Sequence, residues 1–96
     1  MKRQDIKDII VAYLKDNNAV KISLFGSFAR DENQDFNDID ILIKFRKSCS
    51  LLQLIRIENQ LSEKLGIKVD LVTEGSLKNN TIKKSIQRDL QVIYEA

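Results

Sequence analysis

The 96-residue chain has no proline, no histidine and no tryptophan, and a single cysteine, Cys49. One cysteine cannot close an internal disulfide, and without histidine the usual zinc ligand sets are missing, so Cys49 reads as an inert side chain. The lack of proline, beside a composition 43% hydrophobic and 31% charged, excludes a proline-rich linker and a disordered chain. Two tyrosines and four phenylalanines leave little surface on which to stack bases, and a net charge of +2 is weak for a polyanion ligand. The composition therefore argues against direct nucleic-acid binding. No uncharged apolar run approaches the length of a membrane span, and Met1-Lys2-Arg3 leads into a segment carrying Asp5 and Asp8 in place of a signal-peptide core. A cytoplasmic protein with no membrane association is expected. Asn79-Asn80-Thr81 matches a glycosylation acceptor, which has no consequence without a secretory signal. A chain of this length is expected to be one domain, residues 1–96, around one modest core.

What is present is a clear alternation of periods. Ile6, Ile9, Ile10, Tyr13 and Leu14 recur at helical spacing and predict an amphipathic helix over about 4–15, ending near Asn17-Asn18. Val20 to Phe25 alternates apolar with polar and predicts a strand running into Gly26, with a short helix from Ser27 to about Asn33. Asp38 to Phe45 reads as a second strand, with Ile39, Ile41 and Ile43 on the core face and Asp38, Asp40, Leu42 and Lys44 on the other. Leu51, Leu54, Ile55, Leu61 and Leu65 mark a longer helix, with Ser50 as N-cap and Gly66 as the left-handed residue that closes it. Ile67 to Val72 predicts a third strand. Gly75-Ser76 opens a last helix carrying Ile82, Ile86 and Leu90, and Val92-Ile93-Tyr94 reads as a short final strand. Strands alternating with helices predict an α/β domain, a small sheet flanked by helices, with mixed and parallel sheets equally compatible.

Two stretches stand out chemically. At the strand-to-helix turn, Gly26 lets a ligand phosphate approach the backbone, and Ser27 adds a hydroxyl at a helix start whose N–H groups are unpaired. Arg30 lies one turn further on. A glycine and a capping serine are also common at any such turn. Asp38 and Asp40, two residues apart on one strand face, interrupt an isoleucine-rich strand to which aspartate is poorly suited. Two like charges so close call for a cation, and magnesium takes carboxylate and phosphate oxygens. Asp70, between Val69 and Leu71, is a third acid in an apolar strand; pairing with Lys68 on a solvent-facing edge is the plainer alternative for it.

Two other patterns fade on inspection. Asp31, Asn33, Asp35 and Asn37 alternate like the start of a calcium-binding loop, but Phe36 stands where the loop needs glycine and Leu42 where it needs an acid. Lys78, Lys83, Lys84 and Arg88 fit the solvated side of the last helix.

Gly-Ser-Phe-Ala-Arg at 26–30, Asp-Ile-Asp at 38–40 and Val-Asp-Leu-Val at 69–72 together resemble the minimal nucleotidyltransferases of the polymerase β superfamily. The resemblance covers most of the chain and implies a polymerase β-like nucleotidyltransferase fold. It implies that Gly26 and Ser27, with Arg30, receive the phosphates of ATP, that Asp38 and Asp40 hold two magnesium ions, and that Asp70 shares the catalytic ion and activates the acceptor hydroxyl. Two positions depart from the family pattern: Asp31 stands where glycine is common, and Asn37 where serine or threonine is. Such proteins are commonly antitoxins of two-gene systems whose partner is a helical HEPN-domain ribonuclease. By that resemblance the chain transfers AMP to a tyrosine of its toxin. A core this short lacks a second domain to form an acceptor pocket, which favours a protein acceptor. The alternative is an antitoxin that neutralises by occlusion without catalysis. Homo- and hetero-oligomers are both left open.

Overall fold

The computed structural model of the chain describes residues 2–30, 38–76 and 90–96. Helix α1 (Arg3–Asp16) begins where the Lys2 amide donates to Asp5 Oδ2 at 3.2 Å, and it buries Ile6, Ile10 and Leu14. It ends at Asn17 and at Asn18, whose φ of +71° is a left-handed conformation that asparagine tolerates better than most residues. There follow β1 (Ala19–Phe25), the short helix α2 (Gly26–Arg30), β2 (Asp38–Phe45), α3 (Leu51–Leu65), β3 (Lys68–Thr73), a 3₁₀ turn at Glu74–Ser76 and β4 (Gln91–Glu95).

The four strands form one sheet in the order β3-β2-β1-β4. β1 pairs antiparallel with both β2 and β4, whereas β3 runs parallel to β2, the connection between them being α3. The sheet is therefore mixed. Ile22 and Leu24 of β1, Ile39, Ile41 and Ile43 of β2 and Val69 and Leu71 of β3 point to one face, where they meet Ile6, Ile10 and Leu14 of α1 and Ile57, Leu61 and Leu65 of α3. Strand alternation sends Asp38, Asp40 and Asp70 to the other face. Leu42 and Ser23, opposite one another on that second face, are also buried.

Helix α3 has the ends its sequence predicts: Ser50 Oγ accepts from the Gln53 amide at 3.2 Å, and Gly66, at φ +67°, donates to the Ser62 carbonyl at 2.8 Å. Its core stripe is different. Leu54, Ile57, Leu61 and Leu65 face inward, while Leu51 and Ile55 from the expected stripe are 72% and 43% exposed. Leu51 and Ile55 recur at a spacing of four just as Ile57, Leu61 and Leu65 do, and only the packed sheet decides which of two neighbouring stripes is buried. The 3₁₀ turn at Glu74–Ser76 occupies the predicted start of the last helix; Ile82 and Ile86, with Lys78, Lys83, Lys84 and Arg88, lie outside the described residues, as do Asp31 to Asn37. Among the described residues no helix is long and apolar enough to cross a membrane.

Candidate active site

The turn after β1 is built around Gly26. Its φ is +74°, which disfavours any residue with a Cβ, and a Cβ there would fall inside contact distance of Asp40 Oδ2 and 3.3 Å from Asp40 Cγ. The backbone of the turn thus lies directly against the Asp40 carboxylate. Gly26 opens α2, one residue earlier than the sequence predicts. Ser27 and Arg30 belong to α2 by backbone; their side chains lie outside the described residues.

The acids are set by strand register. Asp40 stands opposite Phe25 on β1 and in register with Asp70 on β3, while Asp38 stands opposite Lys68. Ile39 and Val69, also in register, are both buried in the core, so their neighbours Asp40 and Asp70 leave the same opposite face. Adjacent strands are about 4.8 Å apart, and Asp38 lies roughly 6.6 Å along β2 from Asp40. All three acids are half-buried. As their side chains stand, no three acids, cysteines or histidines among the described residues converge closely enough to share one ion. Asp70 makes no ion pair with Lys68 among the described residues, so the plainer reading of Asp70 gains no contact.

Two residues that sequence reasoning left aside fix the turn. Phe28 of α2 is completely buried and joins the core. The Arg3 guanidinium covers its ring at 4.3 Å, and Arg3 Nη1 donates to the Phe28 carbonyl at 2.6 Å, tying α2 to the first turn of α1. A phenylalanine inside a glycine-serine turn was a signal for such an anchor; the arginine, 25 residues away, gave none. Away from the site, burial pushes the Cys49 thiol up, which keeps it neutral and poorly nucleophilic at ordinary pH.

Compared with known proteins, residues 6–93 match the sequence pattern of the family described as nucleotidyltransferase domain. The chain belongs to that family. It is an enzyme of the nucleotidyltransferase class, and the fold agrees. A crystallised toxin–antitoxin with AMP-PNP superposes with a TM-score of 0.82 at 22% identity, over 94% of this chain and 73% of that one. A minimal nucleotidyltransferase superposes with a TM-score of 0.76 at 26% identity, covering 95% of both chains. In sequence, a Methanocaldococcus jannaschii protein assigned as a protein adenylyltransferase is 50% identical over 90 residues, 90% of this chain and 92% of the relative. The protein adenylyltransferase MntA of Thermococcus cleftensis is 38% identical over 95 residues, 95% of this chain and 93% of the relative.

Proposed function

We propose that this nucleotidyltransferase is an antitoxin that transfers AMP from ATP to a tyrosine hydroxyl of a HEPN-domain ribonuclease toxin and thereby silences it. The observation that carries the reading is the register of Asp40 with Asp70 beside the Gly26 turn. Three carboxylates on one sheet face are a hard, all-oxygen donor set of the kind magnesium prefers. Asp38 and Asp40 would hold two magnesium ions, with Asp70 sharing one. Bound there, the ions would neutralise the triphosphate and polarise the reacting phosphate.

The chain's own residues do the rest. Gly26 and Ser27 receive the β- and γ-phosphates at the start of α2, and Arg30 adds a positive charge from that helix. Asp70 accepts the proton of the acceptor hydroxyl as its oxygen bonds to the α-phosphorus. The bond from that phosphorus to the bridging oxygen breaks, and pyrophosphate leaves. Carboxylates suffice for this proton transfer, so the lack of histidine is no obstacle.

The family's named members support the protein acceptor: one relative is called a protein adenylyltransferase, and a structural neighbour is described as a tri-AMPylated Shewanella oneidensis HEPN toxin in complex with an MNT antitoxin. That neighbour has a TM-score of 0.80 at 22% identity, over 99% of this chain and 74% of that one. A protein partner also suits Leu51, Leu52 and Ile55, an exposed apolar cluster on the first turns of α3. The same cluster favours the second reading, neutralisation by occlusion, because binding through it needs no acid. The test is incubation with labelled ATP, magnesium and the cognate toxin, beside the variant Asp38→Ala/Asp40→Ala. Label on the toxin with wild type and none with the variant supports transfer. Neutralisation that survives in the variant at equal abundance supports occlusion.

A further inference from the structure

The third acid stands on a strand that the sheet secures from one side. β3 lies at the end of the order β3-β2-β1-β4 and, among the described residues, pairs only with β2. An edge strand held this way is free to fray or shift, and either movement would carry Asp70 away from Asp40. Its other side is fastened by helix α3. Leu71 N donates to Glu58 Oε2 at 2.8 Å, Val69 N donates to Ser62 Oγ at 2.9 Å, and Ser62 Oγ donates in turn to the Glu58 carbonyl at 2.9 Å. The match is one of spacing. Glu58 and Ser62, one helical turn apart, are separated by about 6 Å along α3, and Val69 and Leu71 by roughly 6.6 Å along β3. The N–H and C=O of one strand residue point the same way, and successive residues alternate. With the amides of Val69 and Leu71 turned to α3, those of Asp70 face β2, so the peptide unit from Asp70 to Leu71 has its carbonyl toward β2 and its N–H on a carboxylate.

We infer that Glu58 and, with a smaller share, Ser62 are positioning residues for nucleotidyl transfer: through β3 they hold Asp70 where it meets the acceptor hydroxyl. The inference rests on the reading of Asp70 as the proton acceptor. Glu58 has the larger share because its bond to Leu71 N is charge-assisted, whereas the Ser62 hydroxyl is a neutral acceptor. Both bonds lie at the outer edge of β3, away from the face that carries the acids, so neither side chain takes part in the proton transfer itself. Asp38, Asp40 and the Gly26 turn belong to β2 and to the end of β1, which these bonds do not touch. The rate of transfer and the affinity for nucleotide therefore separate when the edge is released.

Single-turnover transfer of labelled AMP to a HEPN-domain toxin partner, at saturating ATP and magnesium, tests this. Rates are taken per nucleotide-binding site, counted by titration with AMP-PNP and magnesium, and circular dichroism melting confirms that each variant folds. Glu58→Leu is expected to slow transfer by about 10-fold with AMP-PNP affinity within about 2-fold of wild type, and Glu58→Gln, which keeps an acceptor oxygen, to stay within about 3-fold in rate. Ser62→Ala is expected to be about 3-fold slower, and it decides the matter if Glu58→Leu does not fold. In an Asp70→Asn background Glu58→Leu should cost nothing more, because the group it positions is gone. A merely structural brace would lower the number of sites and leave the rate at each unchanged. Wild-type rates per site in Glu58→Leu, or in Ser62→Ala where that variant stands in for it, would overturn the inference. So would Glu58→Gln as slow as Glu58→Leu, or a loss that persists in full beside Asp70→Asn. Transfer at the wild-type rate by Asp70→Asn alone would be a different failure, that of the Asp70 reading on which the inference rests.

Discussion

At Gly26, two independent constraints coincide: a left-handed backbone angle and a carboxylate in the space a Cβ would fill. Gly26→Ala must strain the turn, displace Asp40, or both. The expected cost is about 1–3 kcal/mol in stability by urea unfolding, together with loss of nucleotidyl transfer. An alanine variant as stable and active as wild type would show that the turn and Asp40 are not coupled. Ser23 is the opposite case. Its hydroxyl is fully buried on β1 and, among the described residues, has no hydrogen-bond partner. Ser23→Ala removes an unsatisfied polar atom and leaves only a small void, so its stability should be unchanged or higher by about 1 kcal/mol, read in the same unfolding experiment. The sequence gives no sign of that burial, because a serine alternating with Ile22 and Leu24 looks like a solvent-facing strand position.

Among the elements, α2 is too short to be stable by itself and depends on what holds it. Phe28 supplies the apolar anchor and Arg3 caps it from above. Phe28→Ala is expected to destabilise the fold by about 3–5 kcal/mol and to loosen the turn that presents Gly26, visible as faster amide exchange in α2 at temperatures where β2 and β3 remain protected. The ends of elements were legible where their causes are local: Ser50 and Gly66 bound α3 through hydrogen bonds within their own turns. The isoleucine alternation from Ile39 to Ile43 gives β2 its limits and its buried face. Legibility ended where a partner distant in sequence decides. Ile57, not Ile55, faces the core because of how α3 rolls on the sheet, and Arg3 reaches Phe28 only once α1 has docked.

For the molecule as a whole, the mixed α/β architecture follows from the alternation of helical and strand periods, but the direction of β3 does not. Its parallel pairing with β2 is a consequence of α3 crossing back over the sheet, and that pairing is what sets Asp70 in register with Asp40. The sequence shows three acids in apolar strands; only the register makes two of them neighbours. If those carboxylates hold metal, chelation by EDTA should stop transfer while leaving the thermal melting midpoint within a few degrees, because the core is formed by Ile, Leu, Val and Phe side chains on the other side of the sheet. A chain that unfolds on chelation would instead point to a structural ion.

The most direct measurement is intact-mass spectrometry of a HEPN-domain toxin partner after incubation with ATP, magnesium and either wild-type protein or Asp70→Asn. That substitution keeps the side chain's size and removes its charge and basicity. Wild type is expected to add AMP to the toxin and Asp70→Asn to do so at least about 100-fold more slowly, with its fold and its binding to the toxin retained. Transfer by Asp70→Asn at the wild-type rate would contradict a proton-accepting role for Asp70.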